Sequence, residues 1–144
     1  MKAVICAEPN VLKLEEVPVP VPSAGEALVR VRRIGVCGTD LHAFEGSQPF
    51  FTYPRILGHE LAGRIEAMPA GAIPQGSPTF RIGDPVAIVP YMECGGCIAC
   101  RAGKPNCCVR LNVLGVHSDG GMCEYLAVPT DHLIRAEGLD WDQI

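Results

Sequence analysis

Cys94-Gly95-Gly96-Cys97-Ile98-Ala99-Cys100-Arg101-Ala102-Gly103-Lys104-Pro105-Asn106-Cys107-Cys108 carries five of the chain's eight cysteines. Cys94, Cys97, Cys100 and Cys108 fall into the spacing C-x2-C-x2-C-x7-C. A Cys-x2-Cys step lets two sulfurs converge on one ion at about 2.3 Å, and four thiolates close a tetrahedral zinc shell. Gly95-Gly96 gives the first turn a permissive backbone, and Cys108 returns after Gly103-Lys104-Pro105. Spacing alone leaves Cys107 and Cys108 as alternatives for the fourth ligand. Neighbouring side chains point apart, so one of them is expected to bind. Arg101, Lys104 and Arg110 would offset part of the charge of a tetrathiolate zinc. A shell with no labile position implies a structural metal, whose apparent binding free energy is about 10–16 kcal/mol in comparable peptides.

The remainder of the chain decides whether these cysteines are metal ligands or a disulfide framework. A secretory leader needs an apolar core of about seven residues or more, whereas Glu8-Pro9 interrupts the short apolar run from Ala3 to Ala7. No stretch approaches the roughly 20 apolar residues of a membrane span. A cytoplasmic protein without a membrane partner is therefore expected, and clustered cysteines in a reducing compartment read as metal ligands. The formal net charge is −4, and no basic run exceeds Arg32-Arg33, which argues against phosphate neutralisation and so against a nucleic-acid partner.

The 144 residues suffice for one domain with a core. With Gly 16 and Pro 13, turns should be many and long helices few. Lys2–Cys6 and Leu12–Val17 flank Glu8-Pro9-Asn10 as a hairpin. Val17-Pro18-Val19-Pro20-Val21-Pro22 lacks alternate backbone donors and reads as an extended surface connector. Ala27–Arg32 alternates as a half-buried strand does. Ala62–Met68, Pro85–Val89, Met122–Val128 and His132–Arg135 read as further strands. Thr39 or Asp40 could cap one short helix reaching about Glu45, and Cys97–Ala102 could form another. Residues 69–80 read as a loop, and Leu139–Ile144 as the start of an amphipathic helix. The expected fold is mainly β with short helices, a small irregular barrel.

A second group of chemistry-bearing residues lies upstream. Cys37, Thr39 and His42 stand within six residues, and Gly58-His59-Glu60 follows. A Cys/His pair leaves coordination positions open, unlike the closed cysteine shell. Phe44, Phe50, Phe51 and Tyr53 could line a cleft or simply pack. Cys6 and Cys123 read as core hydrophobes, His117 as a hydrogen-bonded loop residue, and His132 as a strand or surface residue.

Five motifs, in order, resemble the zinc-dependent medium-chain alcohol and polyol dehydrogenases: Gly35-Val36-Cys37-Gly38-Thr39-Asp40-Leu41-His42, Gly58-His59-Glu60-Leu61-Ala62-Gly63, Gly83-Asp84-Pro85-Val86-Ala87, the cysteine lobe, and Gly120-Gly121-Met122-Cys123-Glu124-Tyr125. The resemblance implies a GroES-like catalytic domain over residues 1–144, the N-terminal part of a longer enzyme. It implies that Cys37 and His59 bind a catalytic zinc, with Glu60 as an acidic neighbour able to approach the metal. Thr39 and His42 would be the inner and outer members of a proton relay. Cys94, Cys97, Cys100 and Cys108, rather than Cys107, would hold the structural zinc. A third protein ligand to the catalytic zinc, and the Rossmann domain for NAD or NADP, would lie beyond this stretch. No Gly-x-Gly-x-x-Gly loop follows a strand here, so the 144 residues alone should not turn over substrate. The implied substrate is a secondary alcohol, a polyol, sugar alcohol or sugar acid, and the full-length enzyme would be a homodimer or homotetramer. The competing readings are a zinc-ribbon binding module and a GroES-like interaction domain without catalysis.

Overall fold

The computed structural model describes residues 1–69 and 80–144, so the loop expected over 69–80 lies, but for its two end residues, outside the described residues. Strands β1 (Lys2–Glu8) and β2 (Val11–Glu16) form the expected hairpin. Asn10 takes the left-handed conformation at its tip (φ 66°), which the short polar side chain of Asn tolerates. The proline run after β2 carries no strand. Next come β3 (Glu26–Gly35), α1 (Gly38–Glu45), β4 (Arg55–Ile56), β5 (Glu60–Ala67), β6 (Pro85–Ile88), β7 (Tyr91–Met92), α2 (Ile98–Arg101), β8 (Asn112–Val113), β9 (Tyr125–Pro129) and β10 (Leu133–Arg135).

The main sheet is antiparallel, with order β10-β6-β5-β3-β9. Its two edge strands are consecutive in sequence and are joined by the single 3-10 turn Thr130–His132. A flat sheet would hold those edges about 19 Å apart, at about 4.8 Å per strand spacing. The four-residue step from Pro129 to Leu133 reaches at most about 14 Å. The sheet must therefore curl, and the barrel follows from this short link. Ala27, Val29, Ile65, Val86, Ile88, Val128 and Leu133 face inward as its core, with Phe80 and Leu114. A second small core of Cys6, Ala43, Phe51, Leu57 and Val116 joins α1 to the β2-β1-β4 sheet. A bridge between Ala3 and Cys123 stitches the two sheets together.

Several expectations shift. The first helix is capped by Cys37, not by Thr39 or Asp40. The strand expected over Met122–Val128 begins only at Tyr125, because Met122 and Cys123 bond back to Leu57, Val4 and Ala3 as a strap across the other sheet. Residues 139–144 form turns rather than a helix.

His132 is neither a strand nor a surface residue. It lies buried in the 3-10 turn, with Nδ1 2.9 Å from Asp131 and Nε2 3.1 Å from Glu93, the residue before the first lobe cysteine. Burial pulls its pKa down, but the hydrogen bonds and charges of the two carboxylates outweigh that, and the net shift is upward. A raised pKa contributes stability below the unfolded value of about 6.5, and the contribution is lost as pH rises through the folded value. His132→Gln should therefore cost on the order of 1 kcal/mol near pH 6, with the gap to wild type closing toward pH 9. Urea unfolding across that range would show it, and a gap independent of pH would contradict the charged clasp.

Candidate functional site

β3 is irregular between Val31 and Arg33 before running on to Gly35, the kind of irregularity that re-aims a strand at a barrel rim. The chain then turns into α1 through Cys37, whose backbone is extended (φ −110°, ψ 178°) and whose sulfur accepts the Thr39 amide at 3.3 Å. Asp40 completes a reciprocal cap by accepting the Cys37 amide at 3.0 Å with one carboxylate oxygen. Its other oxygen accepts the Gly58 amide at 3.0 Å. Asp40 is 3% exposed, so one buried carboxylate fixes the start of α1 against the segment that carries His59.

The consequence is a convergence of donors. His59 Nε2 lies 3.1 Å from Cys37 Sγ. Its Nδ1 stands 3.7 Å from Asp40, beyond hydrogen-bond range, and is a buried polar atom without a partner. Cys37, Asp40 and His59 each offer a ligand atom within 4.8 Å of the others. A tetrahedral zinc with one sulfur and one nitrogen ligand would separate them by about 3.6 Å. The observed sulfur–nitrogen pair is slightly closer than that. Soft sulfur, imidazole and a carboxylate behind the imidazole fit zinc chemically.

The site opens into a cleft of about 740 Å³ whose lining includes Cys37, Thr39, His59 and Glu60. Glu60 is exposed and lies against Gly35, its ladder partner, where a β-carbon would collide with the carboxylate. Glu60 stands outside the three-residue donor group. His42 is on the solvent side of α1, with Nδ1 3.4 Å from Glu45 and 3.3 Å from Ser47. It is one helical turn from Thr39 and on the same helix face, but it makes its contacts with those two residues.

Behind His59 the backbones of two loops touch. The Gly121 amide donates to the Gly58 carbonyl at 2.8 Å, and a β-carbon at Gly120 would run into the carbonyl oxygens of Leu57 and Gly58. Backbone cannot yield as a side chain can, so Gly120→Ala should cost about 1–3 kcal/mol and displace His59. Thermal unfolding and the chemical shifts of the His59 ring would register both effects, and an unchanged melting temperature would contradict the packing argument.

The second donor group is the cysteine lobe. Cys94, Cys97, Cys100 and Cys108 bring their sulfurs within 4.8 Å of one another, whereas Cys107 is exposed and outside the group. Cys97 and Cys100 sulfurs are 3.4 Å apart, and Cys97 and Cys108 sulfurs 3.9 Å. Those separations bracket the roughly 3.8 Å edge of a tetrathiolate zinc and are far above a disulfide length of about 2 Å. Backbone amides already face the sulfurs: Cys94 and Arg110 donate to Cys108, and Cys100 donates to Cys97, the cap of α2. The Gly96 amide and then the Arg110 side chain hold the Cys94 thiol down at about 6. Burial and the neighbouring thiols push Cys100 up to about 12. Four thiolates at this spacing need a cation, and the lobe fits zinc.

Reading the sequence alone missed Asp40 as part of the site. The only signal was its place three residues after Cys37, where a carboxylate closes a cap. Of the aromatic cluster, Phe51 is buried and Phe44 and Tyr53 pack on the second core, while Phe50 is exposed. Cys6 and Cys123 are buried as expected, and His117 Nδ1 accepts the Val113 amide at 3.0 Å. No helix among the described residues is long and apolar enough to cross a membrane.

Comparison with known proteins places these features together. The family model described as the alcohol dehydrogenase GroES-like domain matches residues 23–138. An L-galactonate-5-dehydrogenase of Escherichia coli K12 is 42% identical over 97% of this chain, and the starvation-sensing protein RspB of the same organism is 46% identical over 90%. The match covers 40% and 37% of those relatives, so the chain spans about two fifths of their length. Among solved structures, the alcohol dehydrogenase rspB of E. coli CFT073, complexed with NADH, superposes with a TM-score of 0.83 at 41% identity, over 96% of this chain and 39% of that one. E. coli galactitol-1-phosphate dehydrogenase superposes at 0.84 with 28% identity, over 96% of this chain and 38% of that one.

Proposed function

The chain belongs to the alcohol dehydrogenase GroES-like domain family, and from that premise we propose that it is the catalytic domain of a zinc-dependent, NAD(P)-linked dehydrogenase oxidising a secondary alcohol. The observation that carries the reading is the 3.1 Å approach of Cys37 Sγ and His59 Nε2 beside the cleft, with the four-cysteine lobe as a separate group. A zinc-ribbon binding module would use the lobe and leave that second convergence without a purpose. The relatives run about two and a half times the length of this match, and binding of the nicotinamide cofactor is assigned to that further length. The galactonate and galactitol phosphate named for two relatives favour a polyol or sugar-acid substrate.

In this reading Cys37 and His59 hold the catalytic zinc, with Glu60 at its edge, and the lobe holds the structural zinc. The metal, when bound, supplies redox-inert Lewis acidity. Asp40 is a positioning residue: it locks the helix cap and faces His59 Nδ1, fixing which ring nitrogen turns toward Cys37. Thr39, lining the cleft, has a hydroxyl that can accept the substrate's proton and pass on its own. His42, exposed and one turn along, can hand a proton on to solvent.

Asp40→Asn keeps the shape but weakens the acceptors at the cap. In the whole enzyme it should lower the affinity of the more labile zinc about 10–100-fold while the lobe zinc stays bound. Competition with a chromophoric chelator measures this, and unchanged affinity would remove Asp40 from the site.

A further inference from the structure

The wall of the cleft holds a cation that the chemistry above does not use. Arg33 lies on β3, four residues before Cys37, and lines the same cleft as Cys37, Thr39 and His59. In the β3–β5 ladder Gly35 pairs with Glu60 and Arg33 with Ala62. The Arg33 backbone thus lies two residues along the ladder, about 7 Å, from the Gly35–Glu60 level beside His59.

The structure also shows what Arg33 recognises. Its Nε donates to the Asp142 carboxylate at 2.6 Å, across 109 residues of sequence, and Asp142 lines the cleft as well. The two side chains are 54% and 80% exposed, so the pair is screened and contributes little to stability. A ligand carboxylate could replace Asp142 at small cost. Arg33 is the one arginine or lysine among the described residues that line this cleft. Charge fixes the direction of such a ligand. Glu60, at the metal end, repels an anion, while Arg33 at the far end attracts one.

We propose that Arg33 is a specificity residue that binds the terminal carboxylate of a sugar-acid substrate, holding a hydroxyl several carbons away at the Cys37–His59 end. Asp142 is the internal carboxylate that occupies the guanidinium between ligands. The proposal rests on the dehydrogenase reading and narrows its substrate class from polyols in general to carboxylate-bearing ones.

The test compares L-galactonate with galactitol, its uncharged parent polyol, by calorimetry on the whole zinc-loaded enzyme and its Arg33→Gln and Asp142→Asn variants. Wild type should bind galactonate at least about tenfold more tightly than galactitol, since a charge-assisted bidentate contact is among the stronger polar interactions. Added salt should shrink that preference. Arg33→Gln should abolish it with galactitol binding unchanged, and Asp142→Asn should strengthen galactonate binding alone. If Arg33→Gln keeps the preference, the carboxylate is binding through the metal, and the Arg33 role is overturned while the dehydrogenase reading stands. If Arg33→Gln instead weakens NADH or NADPH in the whole enzyme and spares galactonate, the guanidinium serves cofactor phosphate and the proposal also falls. If wild type with zinc bound holds neither polyol, the substrate reading fails with it.

Discussion

Replacing Cys97 with alanine is expected to release the lobe zinc and unfold residues 94–108 as a unit. Cys97 has two jobs in that loop. Its sulfur sits 3.4 Å from that of Cys100 and 3.9 Å from that of Cys108, and it caps the four-residue helix α2. A four-residue helix has no stability of its own, and Ile98 and Val109 are exposed rather than packed into either core. In the proposed reading the lobe is therefore held mainly by a bound zinc. Apparent binding free energies of about 10–16 kcal/mol for such sites exceed what the few backbone bonds in the loop could replace. Amide exchange should show residues 94–108 losing protection while β3, β5 and β6 keep theirs, with zinc content reduced by one per chain. Retained zinc and retained protection in Cys97→Ala would contradict a structural tetrathiolate site.

Cys37→Ala and His59→Ala are expected to act in the opposite way. In the whole enzyme each should lower turnover by about a thousandfold or more, because a Lewis-acid centre and its electrostatic stabilisation are lost together. The global fold should change far less. Cys37 is also the N-cap of α1, so its alanine variant should lose about 1 kcal/mol more than a simple truncation would. Cys37→Ser keeps a capping oxygen and separates that structural part from the metal part. Steady-state kinetics with paired thermal unfolding reads both, and activity in His59→Ala within tenfold of wild type would sink the assignment.

The lobe was legible in the sequence because short spacings and residue type carry it, whereas Cys37 and His59, 22 residues apart, were paired through the family resemblance. Cys-x2-Cys favours convergence, spacing alone left Cys107 and Cys108 open, and the choice of Cys108 implied by the resemblance agrees with an exposed Cys107 outside the sulfur group. Strands such as β3 and β6 were readable from alternation around residues like Val29 and Val86. What was not readable depends on contacts between distant segments. Asp40 matters because its second oxygen reaches Gly58, 18 residues away. His132 is buried because the 3-10 turn meets Glu93 across the barrel edge. Met122 is drawn out of its strand by Leu57 and Val4. Arg33 looked like one half of an ordinary basic pair until the ladder set it in the cleft with Asp142. Local pattern fixes ligands and strands, whereas long-range pairing fixes which polar group ends up beside which.

Zinc content of the whole enzyme, measured before and after a mild chelator in wild type, Cys37→Ala and Cys97→Ala, tests the division between the two sites most directly. Wild type should hold two zincs per chain and lose one, with activity, to the chelator. Cys37→Ala should hold only the resistant zinc, and Cys97→Ala should lack it. A single resistant zinc in wild type, or a chelator-labile zinc that persists in Cys37→Ala, would contradict a catalytic metal at Cys37 and His59.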